Sequence, residues 1–310
     1  MKFRTEITVK PSDFKITHDC KIAMHGSCFA ENIAFKLLDA GFSTDLNPFG
    51  IAYNPLSLSQ NLNRLLDNKP FAEDELYKDN EIYHSFSHHS RFSGINPEEV
   101  LTTINSRLER SAAFLSTAHL LVVTFGTAFV YRLQSTGKVV SNCHKLPSRL
   151  FSYKRMAVDE IVGEWNELIL RLHRANPALR LLFTVSPIRH WKDGAHENQL
   201  SKSTLLLSVD ELIGNHPHCF YFPAYEILMD DLRDYRFYTE DLLHPSSQAI
   251  NYVWEKFADA WFDSETLKKA QAFEKIHQSL HHIPLQPDSE AYRQFREKTE
   301  AKLKELTSDE

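Results

Sequence analysis

The sequence lacks the features that mark several broad classes of protein. Its four cysteines, Cys20, Cys28, Cys143 and Cys219, include no C-x-x-C pair, whereas disulfide frameworks and zinc sites need closer or regular spacing. No apolar stretch approaches the ~18 residues of a membrane span, and the polar N-terminus carries no apolar signal segment. The net charge is -6, without the basic excess of a nucleic-acid binder. We therefore expect a soluble, cytoplasmic protein with reduced thiols that binds neither membranes nor nucleic acid.

What the 310 residues do contain is an alternation of apolar segments and amphipathic helices. Continuous apolar runs are typical of strands that are buried on both faces of a parallel sheet. The alternation predicts a three-layer α/β/α sandwich with about five parallel strands. The predicted strands cover 21–25, 43–50, 119–125, 181–185 and 219–222. The predicted helices cover 29–41, 56–67, 97–115, 157–174, 201–213, 247–262 and 264–281, and the charged tail 289–310 is expected to be a loosely packed helix.

The segments between these elements give weaker signals. Residues 70–95 are rich in histidine, serine and aromatic residues, and we expect an irregular surface excursion there. Residues 128–140 have the pattern of a hairpin that turns at 135–137. No linker divides the chain near its middle, so we expect one domain over 1–263 and a helical extension over 264–310.

The turn Gly26-Ser27-Cys28 is the first candidate site. It follows an apolar segment and precedes a run of helical spacing, so Cys28 is expected at a helix N-terminus, where negative charge is favoured. A cysteine in that position is expected to hold more thiolate. The alternative is that Cys28 is a small buried side chain and Ser27 only a helix N-cap.

The segment from Asp241 to Pro245 is the second candidate. A carboxylate three residues before a histidine can accept its Nδ1–H and leave Nε2 free as a base, so Asp241 and His244 could form two parts of a triad. The same spacing recurs at Asp193 and His196, in a hydrophilic segment that we expect to be a solvated loop. Asp241 and His244 are the better candidates because of their position in the chain. They follow the fourth αβ unit, and Pro245 with the two serines after it opens a helix there.

Several segments together resemble one known family. HGSCFAENI (25–33) resembles the signature of the GSCFA family, and the resemblance extends over about residues 3–262. GSCFA proteins are assigned to the SGNH (GDSL-like) hydrolases, so the resemblance implies a flavodoxin-like SGNH-hydrolase fold. The other supporting segments are NPFGIAYNP (47–55), TFGTAFVY (124–131), SNCHKLP (141–147), TVSPIRH (184–190) and YRFYTEDLLHPSSQAI (235–250).

The resemblance also implies catalytic roles. The first block of the superfamily is Gly-Asp-Ser with a nucleophilic serine, and the same register puts Cys28 at the serine and Ser27 at the aspartate. The last block, Asp-x-x-His, matches Asp241 and His244 directly. The resemblance therefore implies a Cys28-His244-Asp241 constellation. Ser27 remains an alternative nucleophile, with Cys28 packed inward.

Two further blocks of the superfamily supply hydrogen-bond donors to the oxyanion. Gly50 matches the glycine of the second block. The third block, Gly-x-Asn, here begins at Gly126 and ends on Ala128, so its asparagine donor is absent, and loss of one such donor costs about 3–4 kcal/mol in the transition state. The candidates that could fill the gap are Thr127, Asn142 and His144, although 142–144 could equally be the polar end of a hairpin.

Other polar clusters predict less. His84, His88 and His89 are neighbours on an irregular segment and do not predict the closed geometry of a metal site, so we expect no metal and no cofactor. Arg189 or Lys202 could bind an anionic substrate group. These two residues belong to a polar cluster that also contains His190, Asn198 and Ser201. The simpler interpretation of this cluster is a solvated helix start.

Two functions of different classes follow. The first is an acyl-ester or thioester hydrolase, with a small-molecule or carbohydrate O-acetyl ester as substrate. Cys28 would attack the carbonyl, His244 would transfer the proton, and Asp241 would orient His244. The N–H groups of Gly50 and Cys28 would hold the oxyanion. The second is a catalytically silent SGNH-fold binding protein that keeps the cleft without the chemistry, which the changed first and third blocks support.

Overall fold

The computed structural model describes residues 4–281 and 289–308, and its centre is a sheet of parallel strands. Residues 1–3, 282–288 and 309–310 of the two predicted domains lie outside the described residues. The strands in chain order are β1 (Ile22–Gly26), β2 (Thr44–Leu46), β3 (Leu76–Asp79), β4 (Ile82–Ser85), β5 (Leu120–Phe125), β6 (Phe129–Leu133), β7 (Val139–Val140), β8 (Phe151–Arg155), β9 (Arg180–Val185) and β10 (Cys219–Tyr221).

Five of these strands form the central sheet in the order β2-β1-β5-β9-β10, and every pair is parallel. This is the flavodoxin-like order, in which the chain first adds strands on one side of β1 and then on the other. The expected fold and number of strands are confirmed. Ligands of such sheets bind at the carboxyl ends of the strands beside this reversal, which here lies between β1 and β5.

The helices cover both faces of the sheet. They are α1 (Cys28–Asp39), α2 (Pro55–Asp67), α3 (Pro97–Ser116), α4 (Val158–Ala175), α5 (Gly194–Asn215), α6 (Ala224–Glu226), α7 (Ser247–Trp261), α8 (Ser264–His281) and α9 (Glu290–Ser308). One core joins α2, α3, α4 and α5 to side chains such as Val123 and Phe183, and the other joins α1 and α7 to Met24 and Leu182. Since adjacent residues of a strand point to opposite faces, the continuous apolar runs are explained by two buried faces.

Among the smaller elements, one expectation was wrong and one was incomplete. Residues 70–95 contain the antiparallel hairpin of β3 and β4, which turns at Asn80 and Glu81, both with positive φ. Residues 128–140 do form a hairpin, but β8 adds a third strand on the other edge of β6. These strands are short and partly exposed, so they lack the apolar alternation that would reveal them.

Helix α5 begins at Gly194, seven residues before the predicted start. Its first turns bury Asn198, Ser201 and Lys202, and buried polar side chains give no apolar periodicity from which a helix can be predicted. The division into domains at 263/264 falls between α7 and α8 and stays a prediction.

Candidate active site

The turn after β1 places Cys28 at the first position of α1. Ser27 is the N-cap residue, with φ -72° and ψ 176°, and its side chain makes no capping hydrogen bond. Its Oγ is buried and has no hydrogen-bond partner in the described part of the chain. Cys28 is half-buried, and the N–H groups of the first turn of α1 have no partner within the helix. The thiol therefore lies at a helix N-terminus, as the sequence predicts.

Asn47 holds the turn in place. It is buried, it accepts a 2.9 Å hydrogen bond from the Gly26 N–H through Oδ1, and it donates through Nδ2 to Glu31 at 3.3 Å. Its own N–H donates to Met24 O at 2.9 Å. The loop after β2 therefore braces both the last strand residues and the first turn of α1. Sequence reasoning assigned no role to Asn47.

The second predicted motif, from Asp241 to His244, forms a tight loop. It comes after several short helical turns that follow β10. The carboxylate of Asp241 lies 2.5 Å from His244 Nδ1 through Oδ2. Its Oδ1 accepts hydrogen bonds from the N–H groups of His244 and Leu243, both at 2.9 Å, and from Thr239 Oγ1 at 2.7 Å. These backbone and side-chain donors hold the pKa of Asp241 well below its usual range. An ionised Asp241 fixes the proton of His244 on Nδ1 and leaves Nε2 as the basic nitrogen.

One cavity of about 480 Å³ brings most of the predicted residues together. Its lining includes five of them, from four separate segments of the chain: Ser27, Cys28, Thr127, Asn142 and His244. Asp241 contacts the cavity only through His244. The cavity lies at the carboxyl ends of β1, β5 and β9, which is the edge that the strand order predicts. Another wall is aromatic, with Phe129 and Tyr131 from β6 and Tyr153 from β8.

Within the cavity, the sulfur of Cys28 contacts a tyrosine. Cys28 Sγ lies 3.7 Å from the hydroxyl of Tyr53. Burial and the neighbouring Cys28 raise the pKa of Tyr53, so the phenol stays protonated and can donate to the sulfur. Among the hydrogen bonds of residues 4–281 and 289–308, none joins Cys28 Sγ to His244 Nε2. Catalytic hydrogen bonds are often long without substrate and shorten when it binds.

Of the two backbone N–H groups expected to hold the oxyanion, that of Gly50 is already engaged. The Gly50 N–H donates to Asn47 O at 2.8 Å, and neither Gly50 nor Gly126 lines the cavity. The N–H groups of Gly126 and Thr127 both donate to Tyr53 O, at 2.7 and 3.0 Å. The expectation that Gly50 offers a free N–H is therefore wrong, because the positive-φ turn at Gly50 directs this group back to Asn47.

The three candidates for the missing donor differ in their contacts. His144 does not line the cavity: its Nε2 donates to Ser85 O at 2.9 Å and its Nδ1 pairs with Ser90 Oγ at 3.1 Å. Thr127 Oγ1 pairs with Ser201 Oγ at 3.1 Å and accepts from the Phe129 N–H at 3.2 Å.

Asn142 is left with free donor capacity. Its Oδ1 accepts from the His144 N–H at 2.9 Å, while its Nδ2 has no protein partner in the described ranges. His144 is thus excluded as a donor, Thr127 is largely engaged, and Asn142 remains available at the wall of the cavity.

The polar cluster after β9 is not a solvated helix start. Lys202 is fully buried, and its Nζ donates to Gly126 O and to Ser186 O, each at 2.6 Å. It joins the carboxyl ends of β5 and β9 and does not line the cavity, which contradicts a role in binding an anionic substrate group. Burial lowers its pKa to about 7. Arg189 and His190, by contrast, do line the cavity.

The second Asp-x-x-His match also differs from the expected solvated loop. Asp193 lines the cavity and accepts a 2.7 Å hydrogen bond from the Tyr153 hydroxyl. His196 is exposed in the first turn of α5. The two residues therefore make no pair, and Asp193 supports the aromatic wall instead.

The histidine-rich segment packs into the structure. His88 is buried between the rings of Phe49 and Phe71, and this burial lowers its pKa to about 3. Across the described residues, no group of three or more His, Cys, Asp or Glu side chains is arranged to hold a metal ion. A search of the same residues finds no helix with the length and apolar character to cross a membrane.

Comparison with known proteins identifies the family. The model of the GSCFA family matches residues 21–257, and that of the GSCFA domain protein, C-terminal domain, matches residues 273–309. No curated protein is significantly similar to the chain.

Solved structures show weak likeness. A family 3 carbohydrate esterase from Clostridium thermocellum has 11% identity and a TM-score of 0.37, over 82% of this chain and 98% of its own. The acetyl xylan esterase Est2A from Butyrivibrio proteoclasticus has 9% identity and a TM-score of 0.38, over 79% of this chain and 64% of its own. A family 3 carbohydrate esterase from Talaromyces cellulolyticus has 10% identity and a TM-score of 0.37, over 81% of this chain and 98% of its own. Scores at this level add nothing to the topology described above. The family match, which covers most of the chain, shows that this protein belongs to the GSCFA family.

Proposed function

We propose that this protein is an acyl-transfer hydrolase that cleaves ester or thioester bonds, with Cys28 as nucleophile. The observation that carries the proposal is the shared cavity. Cys28 and His244 line it together, and the Asp241 carboxylate holds the far nitrogen of His244. A nucleophile, a base and a group that orients the base are the three parts that such catalysis requires.

The reaction follows from these positions. His244 Nε2 takes the thiol proton, and the Cys28 sulfur forms a bond to the carbonyl carbon while an electron pair moves onto the carbonyl oxygen. Collapse of this intermediate breaks the bond to the leaving oxygen or sulfur, which receives the proton from His244. Water then attacks the thioester and gives a proton to His244, and the bond between the carbonyl carbon and the sulfur breaks. His244 returns the proton to the Cys28 sulfur, and the acid leaves.

The contacts favour Cys28 over Ser27 as the nucleophile. Cys28 Sγ faces a polar partner, the Tyr53 hydroxyl, in the cavity. Ser27 Oγ is buried and has no hydrogen bond among the described residues, so no base is in contact with its hydroxyl group. A serine nucleophile at this turn would need the side chain of residue 27 to rotate out of its packed position.

A carbohydrate O-acetyl ester is the first substrate class to test. The cavity of about 480 Å³ lies within the usual range for small-molecule sites, and it can hold an acetyl group together with part of a sugar ring. The aromatic wall of Phe129, Tyr131 and Tyr153 offers apolar surface for such a ring. Activated acetyl esters are the matching probes for a first assay.

A second candidate is a binding protein without catalysis. Two observations favour it: no hydrogen bond joins Cys28 and His244 among the described residues, and the Gly50 N–H is already donated to Asn47 O. In that case the cavity would hold a ligand while the thiol remained an ordinary cysteine. The two candidates differ in the reactivity of Cys28.

Thiol labelling with iodoacetamide at pH 7 separates the two candidates, and the chain provides its own reference. Cys143 lines the same cavity, but burial raises its pKa to about 11. We expect Cys28 to be alkylated at least about tenfold faster than Cys143, because His244 can take its proton. His244→Ala should slow the labelling of Cys28 and leave that of Cys143 unchanged, as measured by peptide mass spectrometry.

Hydrolysis of p-nitrophenyl acetate then tests the nucleophile. Cys28→Ala should abolish turnover and Ser27→Ala should retain it. Labelling of Cys28 that is unchanged in His244→Ala would favour the binding protein. Turnover that survives in Cys28→Ala and is lost in Ser27→Ala would instead identify a serine hydrolase.

A further inference from the structure

The site described above has no obvious donor for the oxyanion on the β5 side. Ala128 replaces the asparagine of the superfamily and is fully buried. The nearby N–H groups of Gly126 and Thr127 are both donated to Tyr53 O. Acyl transfer nevertheless develops negative charge on the carbonyl oxygen, and preorganised donors to this oxygen give a large part of the catalysis.

His190 occupies the space beside this gap. A Cβ placed on Gly126 would come within 3.3 Å of His190 Nε2, so the imidazole lies directly against the residue where the third block begins. Its ring meets the ring of Tyr53 edge-on, with centroids 5.3 Å apart, and Tyr53 is the residue whose hydroxyl contacts Cys28 Sγ. The imidazole and the nucleophile thus flank the same tyrosine at the cavity wall.

The ring of His190 is held in position but its nitrogens are free. The backbone N–H of His190 donates to Asn198 Oδ1 at 3.0 Å, which fixes the start of the segment. Neither ring nitrogen has a protein hydrogen-bond partner in the described part of the chain. Since His190 lines the cavity, these nitrogens are available to a bound substrate.

Electrostatics keep this imidazole neutral. Burial, together with the smaller effect of the positive charge of Lys202, lowers the pKa of His190 to about 4. A neutral imidazole carries one N–H, and its tautomer can adapt because neither nitrogen is bonded to protein. Near pH 7 it is therefore a hydrogen-bond donor without charge, and too weak a base to take the thiol proton.

We propose that His190 donates a ring N–H to the carbonyl oxygen of the acyl group and replaces the missing asparagine. This inference rests on the function proposed above. The hydrogen bond strengthens when the Cys28 sulfur bonds to the carbonyl carbon and the electron pair moves onto the oxygen, and it weakens again when the leaving group departs. His190 neither gains nor loses a proton in this step.

Two reactions of the same thiol test this role. Acylation by p-nitrophenyl acetate passes through an oxyanion, whereas alkylation by iodoacetamide displaces iodide from a saturated carbon and forms none. A donor to the oxyanion accelerates only the first reaction. The single-turnover burst of p-nitrophenolate gives the acylation rate, and mass spectrometry of the Cys28 peptide gives the alkylation rate.

We expect His190→Ala to slow acylation by about 100-fold to 1,000-fold and to leave the alkylation of Cys28 within about twofold. His190→Gln, whose amide retains an N–H donor, should recover part of the acylation rate. Asn142→Ala, which removes the other free donor at the cavity wall, tests the competing assignment.

Three outcomes would overturn the inference. If His190→Ala slows acylation and alkylation equally, the residue acts on the thiol or on the fold. If Asn142→Ala causes the large loss and His190→Ala does not, Asn142 is the donor. If wild-type protein is not acylated at Cys28, the proposed function itself fails, which this measurement on the wild type alone reveals.

Discussion

Replacing Lys202 by methionine should change how the stability of the protein depends on pH. The ammonium group of Lys202 is fully buried and donates to the carbonyl oxygens of Gly126 and Ser186. Burial of the charged form lowers its pKa from 10.5 to about 7. The unfolded chain therefore binds more protons than the folded one between these two pH values. The free energy of unfolding consequently rises with pH through this window.

The size of the effect follows from the same pKa. Below pH 7 the buried charge lowers the free energy of unfolding by about 5 kcal/mol. This is the shift in pKa from 10.5 to about 7, multiplied by about 1.4 kcal/mol for each pKa unit. Raising the pH from 7 to 9 removes about 2 kcal/mol of this cost, because Lys202 is half-neutral at the start and almost fully neutral at the end. Lys202→Met has no such group. The stability of wild type relative to the variant should therefore increase by about 2 kcal/mol between these pH values.

Urea unfolding followed by tryptophan fluorescence at pH 7, 8 and 9 measures this difference. Lys154→Met is the matched control, since Lys154 is exposed on β8, and its difference from wild type should not change with pH. Lys202→Met also loses two hydrogen bonds, but this loss is the same at each pH and does not alter how the difference in stability changes with pH. A wild-type-minus-variant difference that stays constant within about 0.5 kcal/mol would refute the reasoning, because it would mean that the folded protein does not hold a buried, titrating ammonium.

Two further predictions concern the motifs at opposite ends of the domain. Asp241→Asn should lower kcat for p-nitrophenyl acetate by up to about 10⁴-fold with little change in KM, because an amide no longer fixes the proton of His244 on Nδ1; an equal loss in Thr239→Ala, which removes only one donor to Asp241, would contradict this. Gly26→Ala should destabilise the fold by about 3 kcal/mol or more, since its Cβ would lie 2.5 Å from Thr124 O at a φ of +153°. In urea unfolding, Gly163→Ala should be neutral or stabilising, because no atom of another element lies within 4 Å of a Cβ there, and similar losses in both variants would count against the clash.

The central sheet could be predicted because its signal is local. β5 and β9 are continuous apolar runs whose two faces are both buried, and such runs have few other interpretations. β8 and the β3–β4 hairpin were missed for the opposite reason. Their side chains are partly exposed, and the hairpin turns on Asn80 and Glu81 without a glycine to indicate it.

The candidate site divides in the same way. The Asp241–His244 contact is made within one tight loop, so spacing alone anticipates it. The contacts of Tyr53, His190 and Lys202 join segments that are distant in the chain, and no periodicity in the sequence predicts them. The role expected of Gly50 failed because it depended on the direction of one N–H group, which is set by the turn that Asn47 makes.

The order of the elements along the chain has a consequence for biosynthesis. Cys28 follows the first strand of the sheet, whereas His244 comes after the last one. Synthesis begins at the N-terminus, and domains fold as units, so Cys28 is made long before His244, the base proposed for it. Under the proposed function, Cys28 is not acylated until the segment that carries His244 joins the cavity. The rate at which Cys28 is alkylated in nascent chains would thus report the moment at which the domain is complete.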